Sequence, residues 1–198
     1  MKKIIALFGI SVFFFSCDVA KQVAGAYALF TQCKYVFNSI TGLSLAGVSL
    51  QNINNFSSIN PLALANLLTA FSSPGGSLPL DFTLNLDVTN NGDQTVMLNG
   101  ANYILEIDGL EMTKGLLNKQ LKIESGKKAV LPISMAFDLK KVMSGQSMDA
   151  MKNLAFNFVG LGDAPSNVSV KFKPSFAVNE KTVTAPDYIP ISFTLNKK

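Results

Sequence analysis

The chain has 198 residues, with 17 lysines, no arginine, no histidine and 13 acidic residues, for a formal net charge of +4. The absence of histidine removes every histidine-based catalytic triad, most zinc sites and the commonest general base. The absence of arginine removes bidentate contacts to phosphate or guanine, and nucleic-acid binding is not indicated. The length suits one domain with a sizeable core.

From the start, Met1, Lys2 and Lys3 lead into twelve small or apolar residues, Ile4 to Phe15, closed by Ser16. A charged start, a greasy middle and a small residue make the layout of a secretory signal peptide. Twelve residues fall short of the roughly 20 that cross a bilayer as a helix. With Cys17 directly after Ser16, the segment resembles a bacterial lipoprotein signal, with Phe14 and Phe15 standing where such signals usually carry an aliphatic and a small residue. The resemblance implies that residues 1–16 are removed and that Cys17 begins the mature chain with acyl groups such as palmitate attached. The protein would then be held in the bacterial cell envelope, at the outer membrane, facing either the periplasm or the outside. Each buried methylene contributes about 0.8 kcal/mol, and two or three chains anchor durably where one does not. Losing residues 1–16 leaves 182 residues and takes two lysines away, so the net charge falls to +2. With Cys17 used for lipid, Cys33 has no partner for a disulfide and reads as a small buried hydrophobe.

Residues 17–31 form the expected tether, with a short helix one option, and residues 32–198 the domain. "CKYVFNSITGLSLAGVSL", from Cys33, suits an extended segment bent or bulged at Gly42 and Gly47. Asn60 as N-cap and Pro61 at the first helical position open a helix carrying Leu62, Leu64, Leu67, Leu68 and Phe71. The clearest periodicity is "LPLDFTLNLDVT", residues 78–89, where Leu78, Leu80, Phe82, Leu84, Leu86 and Val88 hold every even place and polar residues or proline every odd one. A period of two predicts a strand with one dry and one wet face. "NNGD" at 90–93 turns the chain. A second strand over about Thr95–Asp108 is expected to bury Met97, Tyr103, Leu105 and Ile107. Leu121 and Ile123, the turn "ESGKK", and then Leu131, Ile133, Met135 and Phe137 repeat the theme. Between Asp138 and Gly162 the spacing becomes helical, with Ser147 as a cap and the methionines as packing. Strands return around Val168, Val170 and Phe172, and around Ile189, Ile191, Phe193 and Leu195. Hairpin-linked strands with one polar face predict a mainly β fold, an antiparallel β-sandwich with short helical insertions.

The stretch "LPLDFTLNLDVTNNGDQTVMLNGANYILEIDGLEMTKG", followed by "KIESGKKAVLPISMAFDL", resembles the late-embryogenesis-abundant type 2 family, whose module is the water-stress-and-hypersensitive-response (WHy) domain. The matching features are Asn90 and Asn91 at the corner, Tyr103 six residues before Gly109, then Gly115, Gly126 and Pro132, and they cover about residues 78–138. The family usually has Asn-Pro at the corner, where this chain has Asn-Asn. The resemblance implies a seven-stranded immunoglobulin- or fibronectin-like sandwich, a role in desiccation or stress protection, and no catalytic residues to inherit.

Other chemistry is thinly supplied. Ser125 and Lys128 match an S-x-x-K pattern, but that motif must open a helix, and here it reads as a hairpin turn. Asp87, Asn90, Asn91 and Asp93 offer oxygens without the spacing or bidentate glutamate of a calcium loop. A carboxylate enzyme would need a deep pocket holding paired acids such as Glu106 and Asp108. The expectation is therefore a non-enzymatic envelope lipoprotein without cofactor or metal. Its partners would be the membrane, through Cys17, and an unknown protein or surface met by Asn85, Asp87, Asn90 and Asn91. The alternative is a ligand-binding lipoprotein for glycans or lipids. Its glycan version would need an exposed row among Tyr27, Tyr35, Tyr103 and Tyr188, because the chain has no tryptophan.

Overall fold

The alternation over residues 78–89 folds as expected, and the rest of the architecture is arranged around it. The computed structural model describes residues 14–53, 56–178 and 181–195, so the first thirteen residues of the expected signal peptide lie outside the described residues. Strand β3 (Pro79–Thr89) buries all five of its even-numbered side chains, and Leu78 just before it is buried as well. It pairs antiparallel on one side with β1 (Lys34–Leu45) and on the other with β6 (Lys128–Asp138), with Leu84 opposite Ile40 and Ile133. The short β2 (Val48–Ser49) completes a four-stranded sheet in the order β2-β1-β3-β6.

The second sheet runs β5 (Leu110–Ile123), β4 (Val96–Ile107), β7 (Ser166–Val178) and β8 (Lys181–Thr184), with β9 (Ile189–Leu195) on another stretch of β7. Pro174 marks the change of partner. Up to Phe172 the free side of β7 pairs with β9, and from Ser175 onward it pairs with β8. Every described strand pair is antiparallel. The molecule is a mainly β sandwich with a few short helices, made of nine strands among the described residues where the family resemblance implies seven.

The turn between β4 and β5 is the two-residue pair Asp108-Gly109, both at positive φ (50° and 81°), which is the geometry that matches the twist of a hairpin. Within β4 the expected burial of Met97 is not observed. Its side chain is 64% exposed, while Val96 and Leu98 face inward. The cause is a register shift between Asn99 and Ala101, where Gly100 sits at φ 121° and a Cβ would meet the Leu117 carbonyl oxygen at 2.9 Å. An irregularity there inverts which parity faces the core on its N-terminal side.

The helices cover the ends. In α2 (Pro61–Ser72) the Asn60 side chain accepts a hydrogen bond from Leu62 N–H, and Leu67 and Phe71 reach the core, leaving Leu62 and Leu68 exposed. Asp138 caps α3 (Leu139–Val142), and Ser147 caps α4 (Met148–Asn157) by accepting from Ala150 N–H. Of the methionines in this region, Met143 is buried and Met151 half-buried. No helix among the described residues is long and apolar enough to cross a membrane.

Replacing Leu86 with alanine is expected to cost about 2–5 kcal/mol through lost transfer energy and a cavity. Asn85→Ala, which removes only bonds to two hydroxyls at the surface, costs about 1 kcal/mol or less. Denaturant titration of both variants checks the contrast, and equal losses would contradict the assignment of faces. A second test uses acid. Partial burial opposes ionisation of Asp138, but the Ser77 hydroxyl at 2.6 Å and the N–H groups of Leu78 and Lys140 outweigh it and hold the carboxyl below its ordinary range. With the folded-state value lower than the unfolded one, this stabilisation is full above the unfolded value and is lost as pH falls through the folded one, below about pH 4. Asp138→Asn is expected to lower stability at neutral pH and to flatten the acid limb of a melting-temperature profile.

Candidate functional site

Four surface positions were expected to meet a partner, and the structure separates them. Asn85 and Asp87 stand on the outer face of the four-stranded sheet, as alternation from the buried Leu84 and Leu86 requires. Across the sheet their neighbours are hydroxyls and amides. Asn85 Nδ2 donates to Ser39 Oγ (3.3 Å) and Thr41 Oγ1 (3.1 Å), and the Thr83 and Ser134 hydroxyls lie 3.1 Å apart. Asp87 accepts from Lys128 Nζ and from Asn38 Nδ2, both at 2.9 Å, and these two bonds, Lys128 first, hold its carboxyl below the usual range. The carboxyl is therefore ionised at neutral pH. The face can exchange hydrogen bonds with a partner.

Asn90 does not belong to that face. It is fully buried at the corner after β3, with Nδ2 donating to the carbonyls of Gln94 (2.7 Å) and Ile123 (3.0 Å) and Oδ1 accepting from Gly92 N–H (3.0 Å). Its backbone N–H donates to Lys127 O and its carbonyl accepts from Gly126 N–H. No polar atom is left for a partner, so the expected contact role of Asn90 is corrected to that of a clamp between the two sheets. Asn91 beside it is exposed on the corner loop. Among the described residues there is no group of three or more acids, cysteines or histidines that could hold a metal ion. Ser125 lies in the turn between β5 and β6 and donates to Gly92 O at 2.8 Å, which makes the S-x-x-K match a braced turn.

Cys17 lies in α1 (Phe14–Thr31), in the part whose side chains are outside the described residues. The later part of that helix, expected as a tether, is packed down. Val23 and Phe30 are buried, and the Phe30 ring lies 6.4 Å from that of Phe172 and 5.7 Å from that of Phe176 on β7. Just beyond, Tyr35 Oη donates to Phe30 O at 2.8 Å and Cys33 Sγ donates to Leu29 O at 3.6 Å. Burial raises the pKa of both groups, so the Cys33 thiol is protonated and shielded.

Between α1 and the five-stranded sheet runs a groove of about 540 Å³. Ala26 and Leu29 from the helix, with Val96, Leu98, Leu121 and Phe176 from the strands, make it apolar. Gln22, Asn99, Gln120 and Lys122 also line it. The sequence held one sign of this wall, since Gln22, Ala26 and Leu29 follow helical spacing, but nothing local joins them to β4 and β5. The tyrosines form no exposed row, because Tyr103 is buried and Tyr27, Tyr35 and Tyr188 are half-buried.

No family model matches the chain, and no curated protein matches it significantly. Matching solved structures include a crystal structure of a protein from Archaeoglobus fulgidus, 12% identical, covering 64% of this chain and 91% of that one at a TM-score of 0.34. A solution structure of an Arabidopsis thaliana protein is 12% identical over 59% of this chain and 70% of that one, at 0.39. A third, of a protein provisionally assigned as late embryogenesis abundant, is 10% identical over 92% and 86%, at 0.37. Overlaps this loose say nothing of what the chain does.

Asn90→Ala strips one buried and one part-buried carbonyl of their donor and one N–H of its acceptor. At about 1–3 kcal/mol for each group left unsatisfied, the variant is expected to lose several times the stability lost by Asn91→Ala. Paired thermal melts of the two variants check it.

Proposed function

We propose that the chain is a non-enzymatic module of a bacterial cell envelope, held to a membrane by acyl groups on Cys17. Its work is contact with another protein or surface, in the manner of the stress-protection modules it resembles over residues 78–138. The observation that carries this is the docking of α1. Val23, the first buried residue among the described side chains of that helix, lies six residues past Cys17, about 9 Å along a helix axis. An anchor at Cys17 would therefore hold the sandwich close to the bilayer in a set orientation, where a free linker would let it range.

The side-chain chemistry supports contact over catalysis. Glu106 is paired with Lys171 and Asp108 accepts from Asn167 N–H, so the two acids considered for an enzyme are each engaged separately. The outer face of the four-stranded sheet offers Asn85 and Asp87 amid small hydroxyls. The outer membrane is the proposed address, and fractionation of the two envelope membranes tests it.

Intact-mass measurement is expected to give a mature chain beginning at Cys17 with acyl groups attached. Cys17→Ser is expected to leave the membrane fraction while keeping its melting temperature. A mature chain that starts elsewhere, or a Cys17→Ser protein that still partitions with membranes, overturns the anchor. For the contact face, Asn85→Ala combined with Asp87→Ala is expected to keep the fold and reduce the protein's co-purifying partners.

A further inference from the structure

We propose that helix α2 is a membrane-contact element that lies in the surface of an anionic lipid bilayer, with its exposed leucines among the acyl chains. From Tyr35 to Leu80, 46 residues in all, the chain carries no charged side chain, although it holds 17 lysines and 13 acids in total. Water-facing surface ordinarily has charges on about a quarter to a third of its residues. Much of this stretch nonetheless lies outside the core, with Leu62 71% and Leu68 55% exposed. At 100° per residue, the seven exposed residues of α2 fall in one arc of about 160°, from Leu68 round to Asn66, and the five buried or half-buried ones fall in the opposite arc. A helix that is apolar all round calls for apolar surroundings on every side. This chain covers one side, through Leu67 and Phe71. The turn between β1 and β2 extends the bare surface, since Gly47 and Val48 share an uncharged cleft with Leu62 and Ala63. That turn has Ala46 at φ 49° before Gly47 at 77°, where hairpins of this geometry usually carry asparagine or aspartate.

The polar groups of the arc decide for lipid over protein. Thr69 Oγ1 donates to Ala65 O at 2.9 Å and Ser72 Oγ donates to Leu68 O, so both hydroxyls are satisfied by the helix itself and need no water. At the first turn Pro61 has no N–H, and Asn60 takes that of Leu62. A protein partner is matched by about one hydrogen bond per 100–200 Å², and on this arc Asn66 is the one polar side chain not already engaged in that way. Acyl chains ask for none. The border supplies the charge. Lys140 Nζ donates to Ser73 O at 2.6 Å, which sets an ammonium at the C-terminal end of α2, and Lys141 next in sequence is exposed. Asp138, the acid of that segment, is taken up by the Ser77 hydroxyl and the N–H groups of Leu78 and Lys140. An uncharged apolar arc ending at lysines fits a bilayer with anionic headgroups. A second copy would bring the same lysines and no anion. Twelve residues, about 18 Å, are too few to span a bilayer, so the helix lies along it.

This contact is separate from the proposed anchor, and the test removes the anchor by using the full chain with Cys17→Ser. Because the chain has no tryptophan, Leu62→Trp and Leu68→Trp each place a single fluorophore on the arc. Val130→Trp, at a position 45% exposed on β6, places a control on another surface. Vesicles of equal parts phosphatidylglycerol and phosphatidylcholine are expected to blue-shift both α2 probes, and brominated acyl chains to quench them, with Val130→Trp unchanged. Adding Leu68→Ser to the Leu62→Trp chain is expected to weaken vesicle binding about threefold or more. Adding Lys141→Gln instead is expected to weaken it about threefold on these vesicles and to change little on phosphatidylcholine alone. Probes on α2 that stay unshifted overturn the proposal, as does an equal shift at Val130→Trp. So does binding that ignores Leu68→Ser in a variant that melts like its parent. A dimer that forms with rising concentration and is lost with Leu68→Ser, while the probes ignore vesicles, overturns it in favour of a second copy. Failure of the anchor at Cys17, read by fractionation of the unaltered chain, would leave these shifts untouched, which separates the two failures.

Discussion

The amide of Asn90 is the joint on which the sandwich depends. Here the chain leaves the four-stranded sheet at the end of β3 and enters the five-stranded one at β4, and a buried corner exposes backbone groups that no ladder can satisfy. Asn90 meets them with one side chain, its nitrogen reaching Gln94 O and Ile123 O and its oxygen taking Gly92 N–H. The backbone of the same residue joins the β5–β6 turn through Lys127 and Gly126. Three crossings of the chain are thus tied at one point, in an interior where unpaired polar groups cost the most. That economy explains how a corner without the Asn-Pro pair of the resembled family still closes.

Closure along the sides uses different means. Strand β6 is an edge, and edges invite pairing with other chains. Pro132 at its middle lacks an N–H, and Tyr103 reaches over from β4 to give its hydroxyl hydrogen to Ser134 O at 3.1 Å. The ring can pass only because Gly115 lies opposite it, since a Cβ there would sit 2.6 Å from Tyr103 Oη. Two residues that the family resemblance had picked out singly are one device. At the other side, the rings of Phe37 and Phe193 stack at 4.6 Å and join β1 to β9.

Legibility followed the range of the interaction. β3 could be read in full because alternation is local and uninterrupted. The same rule failed at Met97, since Gly100 shifts the register and inverts parity toward the N-terminal end of β4. The cap at Asn60 was visible as a dipeptide signal, but the exposure of Leu62 and Leu68 was not, because which stripe of a uniformly apolar helix faces inward is decided by tertiary neighbours. Asn90 looked like a surface asparagine in a polar turn, and only its long-range partner Ile123 shows otherwise. Residues 18–31 mix small and apolar types without a sharp stripe, so the docking of Phe30 on Phe172 and Phe176 had no local signature.

The arrangement also decides which functions can coexist. Helix α1 packs on β7 and β4, both strands of the five-stranded sheet, and the groove opens on the same side. Asn85 and Asp87 lie on the outer face of the other sheet, where the Lys128–Asp87 pair and the Asn85 bonds to Ser39 and Thr41 keep side chains flat and ordered. A polar face already organised by its own hydrogen bonds gives up little side-chain entropy when a partner binds, which favours contact through a broad, shallow surface. The proposed anchor and the groove thus draw on one sheet, and the proposed contact face on the other. The dry layer of β3, centred on Leu84 and Leu86, separates them, so a change on either side can alter its own task without unmaking the other.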